Sequence, residues 1–177
     1  GHWLEAQFGV SANADNGADL YGYDLKNETT SGKTTFGDWS ANEYIFKVGP
    51  CISLFSGNSK PEKQDSFCRI FGKPNKEKGG RFSWSGSPVP KIGHFNDFGQ
   101  ILVIEDNFDI TAYYSYSEDK RPDKTIIVPY QLRQECLILA RWYGVISPTG
   151  KGKTLKEKLE DKFDDLGWFT CKTGHSG

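Results

Sequence analysis

Hydrophobic positions in this chain come in short runs cut by turn residues. Between Thr34 and Trp84 the runs are Tyr44-Ile45-Phe46-Lys47-Val48, Ile52-Ser53-Leu54-Phe55, Phe67-Cys68-Arg69-Ile70-Phe71 and Arg81-Phe82-Ser83-Trp84, with Gly, Pro or Asn in each break. Such runs, at roughly 8–12-residue spacing, predict strands of a barrel or sandwich and not βαβ units. From Gly99 the pattern strengthens. Gln100 to Glu105 and Ile110 to Tyr116 are strongly β-prone arms around an Asp106-Asn107 turn, which predicts a hairpin. Ile126-Ile127-Val128 reads as a short further strand.

The stretch from Gln134 to Cys171 is a strand, a loop and a helix. The run Cys136 to Ala140 is apolar at consecutive positions, so the strand is expected to be covered on both faces. After the Pro148 to Gly152 loop comes an amphipathic segment, residues 154–166. Thr154 and Glu157 form a capping box, Leu155, Leu159, Phe163 and Leu166 make one stripe, and Gly167 supplies the stop. Residues 1–33, rich in Gly, Ala, Asn and Asp, are expected to be an irregular arm ahead of one domain over residues 34–177.

Composition narrows the function classes. At 177 residues a single well-buried core is expected, and the 14% aromatic content makes rings a large share of it. With 22 basic and 23 acidic residues the net charge is -1, which argues against nucleic acid or an anionic membrane as partner. No apolar run approaches the roughly 20 residues of a membrane span, so no membrane insertion is expected. Cys51, Cys68, Cys136 and Cys171 show no metal-ligand spacing. They admit either two disulfides, in any of three pairings, or four free thiols. With the sequon at Asn27, a glycosylation candidate, the disulfide reading points to a secreted protein in an oxidising compartment.

Candidate chemistry is sparse. Ser147-Pro148-Thr149-Gly150-Lys151-Gly152-Lys153-Thr154 resembles a phosphate-binding loop, but Ser147 replaces the first glycine and too little chain follows for the parallel sheet such a loop needs. His94 reads as an ordinary loop histidine, and the acidic run Glu105 to Asp109 as a solvated turn. The cluster Asn13 to Asp19 lacks the closing glutamate of a calcium loop and is likewise read as solvated. No catalytic constellation and no metal site emerges.

What remains is structural. Gly37 and Trp39 open the β region, Asp106 and Phe108 lie in the acidic turn, and Arg141 ends the last strand before the loop and helix. In these features the chain resembles a lipocalin, where such residues meet at the closed floor of a barrel. The resemblance implies a mainly β fold, an antiparallel up-and-down eight-stranded barrel with one C-terminal α-helix packed outside. It also implies that Cys171 ties the tail to the barrel wall. The expected function is a secreted carrier of a small, mostly apolar molecule such as a pigment, tetrapyrrole, carotenoid, sterol or lipid. Phe82, Trp84, Tyr114 and Tyr116 are the candidate ligand-lining residues; no cofactor is required beyond such a ligand. Two other readings stay open: an enzyme on a lipocalin-like barrel acting on a lipid or carotenoid, and a β-sandwich module binding protein or glycan through exposed aromatics.

Overall fold

A computed structural model describes residues 6–9, 39–121 and 124–160. The chain divides into two compact units, Gly1–Trp39 and Ser40–Gly177. Of the first unit, Ala6 to Gly9 form a single turn closed by the Gly9 amide on the Ala6 carbonyl, and Trp39 is half-buried.

The second unit is built on a five-stranded sheet. Its strands are β1 (Glu43–Tyr44), β4 (Lys91–Ile92), β5 (Phe98–Ile104), β6 (Ile110–Asp119) and β7 (Leu137–Trp142), in the order β1-β7-β6-β5-β4. Strands β2 (Lys73–Pro74) and β3 (Phe82–Ser83) pair separately. The helices are α1 (Lys60–Phe71) and α2 (Leu155–Glu160). All pairings in the large sheet are antiparallel except β4 with β5.

The expected eight-stranded barrel is not formed. The sheet of the described residues is mixed and open, with β1 and β4 as its two edges. The physical reason lies in the runs between Tyr44 and Phe71. β1 stops at Tyr44, and Pro50–Leu54 coils into a 3-10 turn behind Gly49, whose φ of 89° suits glycine. Phe67 to Phe71, expected as a strand, is the last turn of α1. That helix is announced by Ser59: its hydroxyl accepts from the Glu62 amide while the Glu62 carboxylate accepts from the Ser59 amide, with proline in the first turn. Ser59→Ala is expected to lower stability by about 1 kcal/mol, read as a shift of the urea unfolding midpoint; an unchanged midpoint would show that packing alone holds the helix.

The expected hairpin is present as β5 and β6, with register partners Leu102 and Ala112. Its entry is shaped by Gly99, at φ 68° beside the Ser115 carbonyl, where any side chain would collide. Residues paired across a sheet share a face, so two kinds of row run across it. Tyr44, Ala140, Ala112 and Leu102 face the core. Glu43, Arg141, Thr111 and Val103 line the other face.

Rings fill the core. Phe67 lies 5.1 Å from Phe46, 5.3 Å from Phe71 and 5.2 Å from Trp84 between centroids, and Phe71 lies 5.0 Å from Tyr114. Two buried polar hubs bind this layer to the sheet. Gln100 accepts from the Trp84 indole at 2.7 Å and donates to the Phe71 carbonyl at 2.7 Å. Arg121 donates to the Ile70 carbonyl at 2.8 Å and to Asp119 at 2.7 Å, while Lys124 reaches Asp119 at 3.0 Å. Asn96 shapes the turn into β5: its amide faces the carbonyls of Ser87, Pro88 and Val89, and its oxygen accepts from the Phe98 and Gln100 amides.

The remaining expectations divide plainly. Cys51, Cys68 and Cys136 carry free thiols, so no disulfide joins them, and burial pushes the Cys68 thiol up. Cys171, Asn27, Gly37 and the helix beyond Glu160 lie outside the described residues. Ile126-Ile127-Val128 is not a strand.

Candidate functional site

A pocket of about 370 Å³ opens on the sheet face away from the ring core, where β1, the start of β6 and the end of β7 meet. Glu43, Asp109, Arg141 and Tyr143 supply its polar wall together with Asn107, and Val145, Ile146 and Pro148 its apolar rim. The side chains converge because of register. Glu43 stands opposite Arg141 on β7, and Arg141 stands opposite Thr111 on β6. Asp109 precedes Thr111 by two positions, and Tyr143 follows Arg141 by two, which keeps each on the same face where the strand alternation continues.

Local bonds hold the pocket in shape. Asp109 accepts from the Gly144 amide at 2.9 Å with one oxygen and from Asn107 at 3.0 Å with the other. Gly144 is needed at this point: a Cβ there would run into the Phe108 carbonyl. Phe108 itself takes φ 64° to turn the chain between β5 and β6. Asn42 accepts from the Tyr143 amide at 2.9 Å and donates to the Lys153 carbonyl at 3.4 Å. The amides of Leu155 and Lys156 then close onto the carbonyls of Tyr143 and Gly144 at 2.7 and 2.9 Å. The Thr154–Glu157 capping box forms as the sequence indicates, with the Thr154 amide on the Glu157 carboxylate at 2.6 Å. The Gly/Lys loop is thereby anchored at both ends and carries Lys151 and Lys153 on its exposed surface.

Electrostatically the pocket is mixed. Burial, reinforced by the hydrogen bond and charge of Glu43, pushes the Tyr143 phenol up to about 12. Tyr113, which donates to Glu105 at 2.9 Å, is raised by burial and by that carboxylate. Among the described residues, two buried polar side-chain atoms lack any hydrogen-bond partner: Arg141 Nε and the hydroxyl of Thr111, its neighbour across the strands. Among the described residues, no group of three or more His, Cys, Asp or Glu gathers to hold a metal ion.

The residues singled out from the sequence occupy several places. Arg141 lines the pocket, and Asp106 is exposed at the hairpin turn. Tyr114 is wholly buried among the rings, whereas Tyr116 is 45% exposed beneath the Arg133 guanidinium. Phe82 and Trp84 pack partly buried against the core. His94 is exposed. Reasoning from the sequence passed over Glu43 and Thr111, whose signal would have been the pairing of β1 with β7, about a hundred residues apart and invisible to local periodicity.

The comparisons with known proteins settle the family. The LlaMI restriction endonuclease model matches residues 1–177. The chain is 66% identical, over 179 aligned positions, to the Type II restriction enzyme ScrFI of Lactococcus lactis subsp. cremoris. That alignment covers all of this chain and 66% of the relative, so the chain spans slightly less than two thirds of the relative's length. No solved structure matches it.

These findings overturn the lipocalin resemblance, and with it the secreted carrier of a small apolar molecule, the lipid- or carotenoid-modifying enzyme and the glycan- or protein-binding sandwich. The exclusion of nucleic acid fails too, because net charge averages over the surface while a nucleic-acid interface is local. Secretion and disulfides lose their support alike, the latter also from the free thiols. The chain belongs to the LlaMI restriction endonuclease family.

Proposed function

We propose that the chain acts in sequence-specific hydrolysis of double-stranded DNA inside the cell, a reading supported by a relative named a Type II restriction enzyme and by the restriction endonuclease family model. The match over the whole chain at 66% identity is the observation that carries this reading. A divalent cation belongs to it: such an ion neutralises the charge that builds on the phosphoryl oxygens and lowers the pKa of water.

The described pocket is not the place for that ion. Glu43 is engaged by Tyr143, both oxygens of Asp109 are committed to Gly144 and Asn107, and Arg141 sits beside them. The donors that the chemistry asks for stand instead in Ala18-Asp19-Leu20-Tyr21-Gly22-Tyr23-Asp24-Leu25-Lys26, outside the described residues. Two carboxylates flanked by apolar and aromatic residues suit a divalent cation. Asp24 and Lys26 stand two positions apart in the sequence, so a carboxylate and an ammonium group come close together along the chain. We assign Asp19 and Asp24 to the cation, and Lys26 to the orientation of water and the stabilisation of phosphoryl charge.

Incubating the protein with supercoiled plasmid and Mg²⁺ is expected to yield discrete fragments, and chelation by EDTA to abolish them. Intact plasmid under all divalent conditions, or a smear with no preferred ends, would sink the proposal.

A further inference from the structure

We infer that the Arg141 pocket reads one G·C base pair of the DNA, with Arg141 on the guanine and Glu43 on the paired cytosine. This rests on the proposed action on DNA but concerns recognition and not bond cleavage. The starting observation is that Arg141 Nε, on the wall of a pocket of about 370 Å³, is buried without a partner, as is the hydroxyl of Thr111, its neighbour across β6 and β7 behind the pocket lining. Thr111 is 0% exposed. Buried donors are almost always paired, so an orphaned guanidinium nitrogen on a pocket wall marks a place that a ligand completes.

The charges choose among the parts of DNA that could fill it. A phosphate would meet the carboxylates of Glu43 and Asp109 on the same wall as Arg141, and like charges at short range oppose it. A base-pair edge offers both polarities. In the major groove guanine presents two adjacent acceptors, N7 and O6, which match the fork of an arginine, and its paired cytosine presents an amino donor that a carboxylate accepts. An A·T pair breaks that pattern, since the adenine N7 acceptor is followed by an amino donor. Glu43 stands directly opposite Arg141 in the β1–β7 register, the arrangement that two neighbouring bases of one pair require. It retains accepting capacity beyond its bond with Tyr143. Asp109, with both oxygens engaged by the loop, only shapes the pocket.

The rim completes the interface. Pro148 lines the pocket, and the loop it begins carries exposed Lys151 and Lys153, positioned to take the flanking backbone phosphates. Phosphate contacts set register while base contacts specify sequence, so the loop that resembles a nucleotide-binding motif is here assigned to the DNA backbone.

The test is selection of bound duplexes from a randomised DNA pool without Mg²⁺, using wild type, Arg141→Gln, Arg141→Lys and Glu43→Gln, with thermal unfolding recorded for each. Wild type is expected to select G·C at defined positions. Arg141→Gln should lose the preference at one of them alone, with affinity for the selected sequence falling roughly 5- to 150-fold. Arg141→Lys, which keeps the charge but not the fork, should relax the same position, and so serves if the glutamine variant unfolds. Glu43→Gln should weaken that position and no other. Retention of every preference by the folded Arg141 variants would overturn the base assignment while leaving the nuclease reading standing. A uniform loss on all sequences with a salt slope shallower by about one would also overturn it, making Arg141 a phosphate contact. A wild type with no sequence preference at all would fail the nuclease reading itself, and the base assignment with it.

Discussion

Asp24→Asn is expected to reduce DNA cleavage on the order of 10³-fold while leaving sequence-selective DNA binding and the unfolding temperature close to those of wild type. The change removes one negative charge and little volume. If Asp24 holds the cation, the loss falls on phosphoryl charge stabilisation, a term of several kcal/mol that appears in the transition state and not in the bound complex. The same substitution at Asp19 should behave alike, and Lys26→Met should lower turnover without abolishing the response to added Mg²⁺. Single-turnover cleavage of a cognate duplex, beside a binding titration without divalent ions, separates the two quantities. Full cleavage by both aspartate variants would remove these residues from the chemistry and return the search to the rest of the chain.

Arg121→Ala is expected to cost about 3–5 kcal/mol of folding stability, measured by urea unfolding at neutral pH. The Asp119 side chain is 1% exposed, and Arg121 is its principal counter-charge. Burial by itself would raise the Asp119 carboxyl, but the hydrogen bonds and charge of Arg121, with help from Lys124, outweigh it and hold the group below its ordinary value. A carboxyl depressed in the folded state stabilises the fold above its unfolded value, about 3.9, and that contribution is lost as pH falls through the lower folded value. The difference between wild type and Arg121→Ala should therefore narrow in acid, below about pH 4. Joint replacement, Asp119→Leu with Arg121→Met, should cost less than Arg121→Ala alone, because no uncompensated charge stays buried. A variant as stable as wild type at neutral pH would show the carboxylate reaching water through some other route.

Parts of this fold were legible because their determinants are local. The β5–β6 hairpin followed from alternation and an Asp-Asn turn, and the Thr154–Glu157 box from four adjacent residues. The run Phe67 to Phe71 misled because four apolar or aromatic residues around Arg69 look alike in strand and helix; the deciding evidence lay five to eight positions earlier, at Ser59 and Glu62. The barrel motif misled in another way. Asp106 and Arg141 have the expected order along the chain, yet Asp106 is exposed at a turn while Arg141 lines a pocket opposite Glu43. Order in sequence carries no information about which strand becomes a neighbour. A composition with balanced charge says as little about a local interface for the same reason, since exposed lysines such as Lys151 and Lys153 count by location and not by sum.

The position of β7 inside the sheet has a consequence in time. It lies between β6, the second arm of the β5–β6 hairpin, and β1, which leaves the ribosome about a hundred residues ahead of it. Until β7 has emerged, β1 has no partner and β6 keeps one edge of open amides and carbonyls. The nascent chain thus passes through a period in which β1 and the rest of the sheet wait for the strand that joins them, with Tyr114 and Ala112 awaiting the Leu137 to Ala140 row. Assembly of this sheet includes an insertion step instead of growing outward from one edge, which makes the interval before β7 emerges the moment of greatest exposure to mispairing with another copy.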